Sequence, residues 1–404
     1  MWSALRGKRI VLAVSGGISA YKAIEVSRRL VDSGVHVVPI MTENAERFIG
    51  KVTLSALASE PVHTSLWDDW SGPIPHTKFG QEADAILVCP ATANVIGKYA
   101  NGLSDDLLTN TLLATRAPVI VCPAMHTEMW DNPAVSDNIA LLRARGVHIV
   151  GPEAGRLAGG DVGYGRLASP ESIVNATAGV FERSTLDMTG LRVLVTAGGT
   201  REMIDPVRFI GNRSTGKQGY AFADIAARAG AQVELVSTVT RPAPTGAEVV
   251  LVSTAAEMHQ AVVAGAERAD IVVMAAAVAD FRPVEPSERK IKKAGGVPEI
   301  ALERTVDILA ELGSRKRAGQ QLVGFAAETN DLIANAERKL ESKGADFIVA
   351  NDVSAEGAGF GHDTNIVTIV AAGGGRDSLS LTSKHDVARA VLRAVVAART
   401  PTDK

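Results

Sequence analysis

The stretch Leu191 to Gly219, LRVLVTAGGTREMIDPVRFIGNRSTGKQG, constrains the fold most, because it reads as a second beginning in the middle of a 404-residue chain. The β-branched run Val193 to Thr196 suits a strand buried on both faces of a parallel sheet. Gly198 and Gly199 permit a tight turn, and Asn212 to Gly219 gathers small, polar and cationic residues ahead of a helix from Tyr220 onward. Backbone N–H groups opening such a helix point at negative charge, and glycines let a ligand approach the backbone. The stretch therefore predicts an anion site. It is not a Walker A loop, since GxxxxGK[ST] is absent.

A start of this kind at residue 191 implies two domains, each long enough for its own core. Apolar residues make up 46% and aromatic ones 4%, the Val/Ala/Gly-rich balance of α/β layers. The net charge of -3, with both signs interspersed, argues against a nucleic-acid footprint or a polybasic membrane anchor. Gly16 and Gly17 interrupt the first apolar run too early for a secretory segment, and no run reaches the roughly 18 apolar residues of a spanning helix, so the expected place is the cytoplasm. Cys89 and Cys122, both followed by Pro-Ala at the end of an apolar run, are expected as buried structural thiols rather than a disulfide or a zinc site.

Residues 9–14 are predicted as the first strand, Ser15 to Ala20 as the turn into a helix over Tyr21 to Ser33, and Val35 to Met41, ending at Thr42, as the second strand. GxGxxG is absent and no acid closes the second strand, so a mononucleotide phosphate suits the turn better than a dinucleotide. A helix is expected over Ala45 to Ala58, then an irregular aromatic segment, Trp67 to His76, with His76 in a Pro-flanked loop. The two cysteine strands end in Pro90-Ala91-Thr92-Ala93-Asn94 and in Pro123 to Trp130, with a helical segment holding Asn101 to Leu108 between them. In a parallel sheet such strand ends line the ligand crevice. A strand over Val147 to Val150 leads into Gly155 to Leu167, whose glycines suggest a mobile flap.

A helix from Pro170 to Arg183 closes the first domain, 1–183, and 184–190 reads as a polar linker to the second, 191–404. There the scheme repeats: strands over 191–196, Gln232 to Ser237, Ile271 to Ala276, Leu322 to Phe325 and Phe347 to Ala350, with helices over Gly219 to Ala229, Ala255 to Ala264 and Asp331 to Ser342. A hairpin-like pair, Gly357 to Val370 and Leu379 to Thr382, and a helix over Lys384 to Arg399 end the domain. Arg289-Lys290-Ile291-Lys292-Lys293 follows a strand end near the anion site and is read as a phosphate clamp. The fold class is α/β, two domains that are each a mostly parallel Rossmann-like sheet flanked by helices.

Over nearly all its length the chain resembles the bacterial bifunctional family that joins phosphopantothenoylcysteine decarboxylase to phosphopantothenate–cysteine ligase. The resemblance implies a flavodoxin-like first domain binding FMN. Gly16 to Lys22 matches the FMN-phosphate turn, with Gly17 and Ser19 as contacts, and Pro90 to Asn94 matches the family's PASAN motif, adding Thr92, Ala93 and Asn94; Thr42 completes the implied cofactor set. His76 falls on the active-site histidine. The implied chemistry is flavin oxidation at the thiol carbon, loss of the carboxylate from a thioaldehyde, and return of the electrons. Two motifs depart. PxMNxxMW has His126 in place of the asparagine that holds the substrate carboxylate, and imidazole can also donate there. The flap motif ACGDxGxGRM keeps Asp161 and Arg166 but has Gly159 where the family has its proton-donating cysteine. A glycine donates no proton, so either another flap or crevice group takes that task, or water does, or the decarboxylase is impaired.

The resemblance implies a ligase in the second domain, with Asn212 and Lys290 catalytic. Met274, Ala275, Ala276, Asp280, Lys290, Val306, Asp307, Ile308, Leu309, Phe325, Lys339 and Lys343 match its CTP positions. The implied reaction activates the 4'-phosphopantothenate carboxylate with CTP and Mg2+ and then joins it to L-cysteine. The implied assembly is a homo-oligomer, a dodecamer built from decarboxylase trimers and ligase dimers. The other readings of this sequence are a ligase with an impaired first domain and a non-catalytic flavoprotein acting as a regulatory partner.

Overall fold

The computed structural model describes residues 2–67, 72, 74–292, 299–328, 331–352, 359 and 361–399. Parts of the aromatic segment (68–71 and Pro73), Lys293 of the cationic run and Thr329 lie outside the described residues. The chain divides into two compact units, Met1–Phe181 and Glu182–Lys404.

The first unit is built on β1 (Arg9–Val14), β2 (His36–Met41), β3 (Ala85–Ala91), β4 (Val119–Pro123) and β5 (His148–Ile149), in the order β2-β1-β3-β4-β5, all parallel. The run of β1 is apolar because both faces are covered: Ile10, Leu12 and Val14 enter one core cluster, and Val11 and Ala13 the other. Each fully buried Ile or Leu there contributes about 1.5–3 kcal/mol. The helices are α1 (Lys22–Asp32), α2 (Lys51–Ala56), α3 (Pro75–Glu82), α4 (Ala93–Asn101), α5 (Leu107–Ala114), α6 (Thr127–Trp130), α7 (Pro133–Ala144) and α8 (Pro170–Thr185).

Several expectations change. The helix expected over Ala45 to Ala58 is a 3-10 turn, Ala45–Arg47, and then the short α2, because Gly50 interrupts it. Gly102 to Asp106 is not helical; Gly102 takes a left-handed conformation that ends α4, and the Asp106 carboxylate caps α5 by accepting from Thr109 N. His76 is not in a loop: Pro75 sits at the first helical position and starts α3. The glycine-rich stretch forms an antiparallel hairpin, β6 (Glu153–Arg156) and β7 (Val162–Arg166). Its glycines serve close approach, since a Cβ on Gly165 would stand 2.2 Å from the Met125 carbonyl oxygen and one on Gly163 2.4 Å from Thr127 Oγ1. The segment expected as a polar linker is helical to Thr185 and then buries Leu186 and Met188 in the core of the second unit.

The second unit contains β8 (Arg192–Ala197), β9 (Arg201–Met203), β10 (Phe209–Gly211), β11 (Gln232–Ser237), β12 (Ala247–Leu251), β13 (Ile271–Met274), β14 (Phe281–Pro283), β15 (Leu302–Arg304), β16 (Gln321–Glu328), β17 (Phe347–Asp352), β18 (Thr364–Ala371) and β19 (Arg376–Ser383). Its main sheet runs β12-β11-β8-β13-β16-β17-β18-β19, parallel through β17 and antiparallel beyond. The order doubles back between β8 and β13. Helices α9 (Lys217–Arg228), α10 (Ala255–Ala266), α11 (Ile308–Ser314), α12 (Leu332–Lys343) and α13 (Lys384–Ala398) cover it. The long loop after β8 carries its own hairpin, β9 with β10, which no alternating apolar pattern announces.

Candidate functional site

In an open parallel sheet the ligand crevice lies beyond the carboxyl ends of the strands, where the order reverses. In the first unit that point is between β1 and β3. Ser15, at the end of β1, donates from its hydroxyl to Pro90 O at 2.7 Å and accepts from Thr92 N at 3.0 Å. Gly16 packs so closely on Asn44 that a Cβ would lie 2.5 Å from the Asn44 Cβ, and Gly17 faces Thr92. Gly17, Ser19, Thr42, Thr92, Ala93 and Asn94 therefore belong to three neighbouring strand ends. Thr42 N donates to Val14 O, and Thr92 is the N-cap of α4. Because α3 runs back to the start of β3, its first turn and His76 stand at the carboxyl end of the sheet. His76 Nδ1 is buried without a hydrogen-bond partner among the described residues. An orphaned buried nitrogen and a glycine turn between helix starts suit a phosphate-bearing planar cofactor.

The hairpin β6–β7 joins this crevice through β4. Met125 N donates to Gly165 O at 3.0 Å. Lys22 Nζ donates to Leu167 O at 3.4 Å, and burial, followed by the charge of Arg166, holds its pKa below the ordinary value. His126, just after β4, stands between the carboxylates of Glu128 and Asp161. Cys89 and Cys122 are buried, and burial pushes the Cys122 thiol up, away from reactivity.

In the second unit one cavity of about 840 Å³ is lined by Asn212, Met274, Ala275, Ala276, Asp280, Val306, Asp307, Ile308, Leu309, Phe325, Lys339 and Lys343. The residues come from the loops after β8 and β13, the start of α11, the end of β16 and one face of α12. Two turns are sewn together at the strand reversal: Ala277 N donates to Gly198 O at 2.8 Å and Thr200 N to Ala277 O at 3.2 Å. Asn212 Nδ2 donates to Val278 O at 3.1 Å, while a Cβ on Gly199 would lie 2.4 Å from Asn212 O. Lys339 Nζ donates to Phe325 O at 2.7 Å and Lys343 pairs with Asp307. Burial opposes ionisation of Asp307, but Lys343, the Ala310 N–H and Lys339 together outweigh it and hold its pKa low. Among the described residues, six cationic side chains line the cavity (Arg213, Lys217, Arg304, Lys339, Lys343 and Lys384) against two acids, Asp280 and Asp307. The arrangement favours a polyanion.

Lys290 does not line this cavity. It is exposed on the loop after β14, and that loop hangs on Asp205, whose buried carboxylate accepts from Val207 N, Arg208 N and Ile291 N. Burial would raise the Asp205 pKa; the three backbone donors outweigh it and hold it low.

Asn351, Asn365 and Lys384 are among the lining residues that carried no functional reading. Asn351 Oδ1, at the end of β17, is buried with no hydrogen-bond partner among the described residues. Asn365 ties Gln218 to Gly359, donating to one and accepting from the other. Lys384 is buried and donates to Gly359 O at 3.0 Å and His362 O at 2.7 Å. Burial, then the neighbouring Lys217, lowers its pKa to about 8. The usable signal was its place, for a lysine in the first turn of a helix opposes the helix dipole and needs another reason to be there.

The two sheet orders define a two-domain α/β protein in which each unit is a mostly parallel sheet with a crevice at its strand reversal. The family model described as "Flavoprotein" matches residues 3–182, and that described as "DNA/pantothenate metabolism flavoprotein C-terminal domain" matches 188–398. A coenzyme A biosynthesis bifunctional protein of Bacillus subtilis is 48% identical over 397 residues, covering 97% of this chain and 98% of that one. Its counterpart in Mycobacterium tuberculosis is 46% identical over 404 residues, 96% of each. The chain belongs to the family of coenzyme A biosynthesis bifunctional proteins. A crystal structure of the C-terminal domain of such a protein is 42% identical, with a TM-score of 0.44, covering 51% of this chain and 94% of its own.

Proposed function

We propose that this chain performs two consecutive steps of coenzyme A biosynthesis: CTP-dependent ligation of 4'-phosphopantothenate with L-cysteine in 191–404, then FMN-dependent decarboxylation of phosphopantothenoylcysteine in 1–183. The observation that carries the reading is the cation-lined cavity at the strand reversal of the second unit, in a chain that also has a flavoprotein unit.

In the ligase, Lys339, Lys343 and the loop opening α9 hold the triphosphate, and Met274 to Ala276 and Val306 to Leu309 line the nucleoside end. Asp280, a carboxylate lining the cavity, would help hold a phosphate-bound Mg2+, which would offset phosphate charge, since magnesium usually keeps waters and takes one or two protein carboxylates. Asn212 orients the acyl-cytidylate carbonyl, and Lys290 offsets charge on the leaving pyrophosphate from the Asp205-anchored loop. Among the described residues no group of three His, Cys, Asp or Glu side chains could hold a metal alone.

In the decarboxylase, the Ser15–Ser19 turn, Thr42 and Thr92 to Asn94 hold FMN, which when bound takes electrons from the substrate and returns them. His76 and His126 contact the substrate, and the hairpin with Gly159, Asp161 and Arg166 excludes water. Ile18 and Tyr21, 66% and 62% exposed beside the turn, and Phe209 on the β10 arm supply apolar surface for a homo-oligomer of trimers and dimers. No helix among the described residues is long and apolar enough to cross a membrane, and the work proposed is cytoplasmic.

Lys290→Gln tests the division of labour. Pyrophosphate release with CTP, phosphopantothenate and cysteine should fall at least a hundredfold, while CO2 release from phosphopantothenoylcysteine stays within twofold of the unaltered protein. Loss of both would contradict two independent sites.

A further inference from the structure

Losing a carboxylate as CO2 leaves an electron pair on the substrate carbon, and a proton must reach that carbon before the product leaves. A proton donor for this step has to stand in the crevice, carry its proton near neutral pH, and have room for the substrate beside it.

His126 meets these conditions by geometry. It is the N-cap of α6, directly after β4, at the carboxyl end of the first sheet. Its ring nitrogens face two carboxylates, Glu128 from its own turn at Nδ1 and Asp161 from the hairpin at Nε2, the latter at 3.1 Å. A carboxylate accepts but does not donate, so two carboxylates are satisfied only by a ring with a proton on each nitrogen. These are the charged groups that act on the ring. Their hydrogen bonds, that of Asp161 first and Glu128 next, raise its pKa above the ordinary value and so favour the imidazolium. Opposite the ring the hairpin presents bare backbone: a Cβ built on Gly159 would stand 3.7 Å from Nε2.

We propose that His126 is the general acid of the decarboxylation. The inference rests on the reading of the first unit as a decarboxylase. The carbon–carboxylate bond breaks with its electron pair left on the substrate. The Nε2–H bond then breaks with its pair left on nitrogen, and a carbon–hydrogen bond forms. Neutral His126 takes its next proton from solvent. The two electrons the flavin withdraws are the two it returns, so no external oxidant is used. Glu128 holds the ring from Nδ1, and Asp161 yields Nε2 to the substrate.

The test uses the flavin-loaded full chain. In His126→Asn, kcat for CO2 release falls about 10²- to 10⁴-fold, the usual range for a lost general acid. KM changes less than threefold, and flavin absorbance and pyrophosphate release report the fold. The unaltered protein loses kcat as pH rises through the raised imidazole pKa, and the variant lacks this limb. Adding Gly159→Cys to His126→Asn puts a thiol beside the vacated position; it restores at least tenfold and moves the limb toward about 8.5. Independently of turnover, an NMR titration places the His126 pKa above 6.5, and Asp161→Asn lowers it. The proposal is overturned if His126→Asn keeps kcat within threefold with the alkaline limb intact, or if His126 titrates at or below 6.5. An unaltered, flavin-loaded protein that releases no CO2 sinks the decarboxylase reading itself, a result distinct from either.

Discussion

Replacing Asn212 with alanine should lower kcat for ligation by about 10²- to 10³-fold, the loss of about 3–4 kcal/mol seen when one preorganised donor at a reacting carbonyl is removed. The size follows from how firmly the residue is held. Its backbone packs on Gly199, where no side chain fits, and its amide donates to Val278 O at 3.1 Å. Asparagine is thus placed from both sides of the strand reversal. Asn212→Asp should fare little better, because a carboxylate cannot donate to that carbonyl. Pyrophosphate release measures the effect, and CO2 release from supplied phosphopantothenoylcysteine should be unchanged. A variant within threefold of the unaltered ligation rate would remove Asn212 from the reacting centre.

The second large effect is on stability. The Glu182 side chain, fully buried at the start of the second unit, receives Arg389 in a bidentate pair, Nε at 2.6 Å and Nη2 at 2.8 Å. Burial would lower the Arg389 pKa, and Glu182 together with Asp386 more than restores it. Glu182→Ala takes both arms of the bidentate acceptor away from a largely buried guanidinium, a loss of about 3–5 kcal/mol. Hydrogen exchange of the α13 amides reads the opening of this unit by itself. Replacing both residues by leucine should recover most of the loss, since apolar pairs of similar volume replace buried ion pairs well. A loss under about 1 kcal/mol in Glu182→Ala would mean that water, not Glu182, solvates Arg389.

The fold was legible where burial is two-sided. The runs of β1 and β8 feed alternate residues into opposite cores, and that leaves a continuous apolar signature. Short elements set by caps and close contacts were not legible. The hairpin β9–β10 has no alternating pattern, and the start of α3 at Pro75 hid His76 behind what reads as a loop. In the cavity of the second unit the lysines of α12 were readable from their i,i+4 spacing. Lys384 and Asn351 were not, for they reach the cavity only through pairings between distant strands and helices. The Asp205 anchor likewise joins residues 86 positions apart, a contact that spacing cannot announce.

L-cysteine labelled at its carboxyl carbon tests the central claim most directly. Incubated with the flavin-loaded chain, CTP, Mg2+ and 4'-phosphopantothenate, it should enter phosphopantothenoylcysteine and then leave as labelled CO2. Omission of CTP or of phosphopantothenate should abolish the release. Label that accumulates in phosphopantothenoylcysteine without CO2, or that is never incorporated, would contradict one chain catalysing both steps.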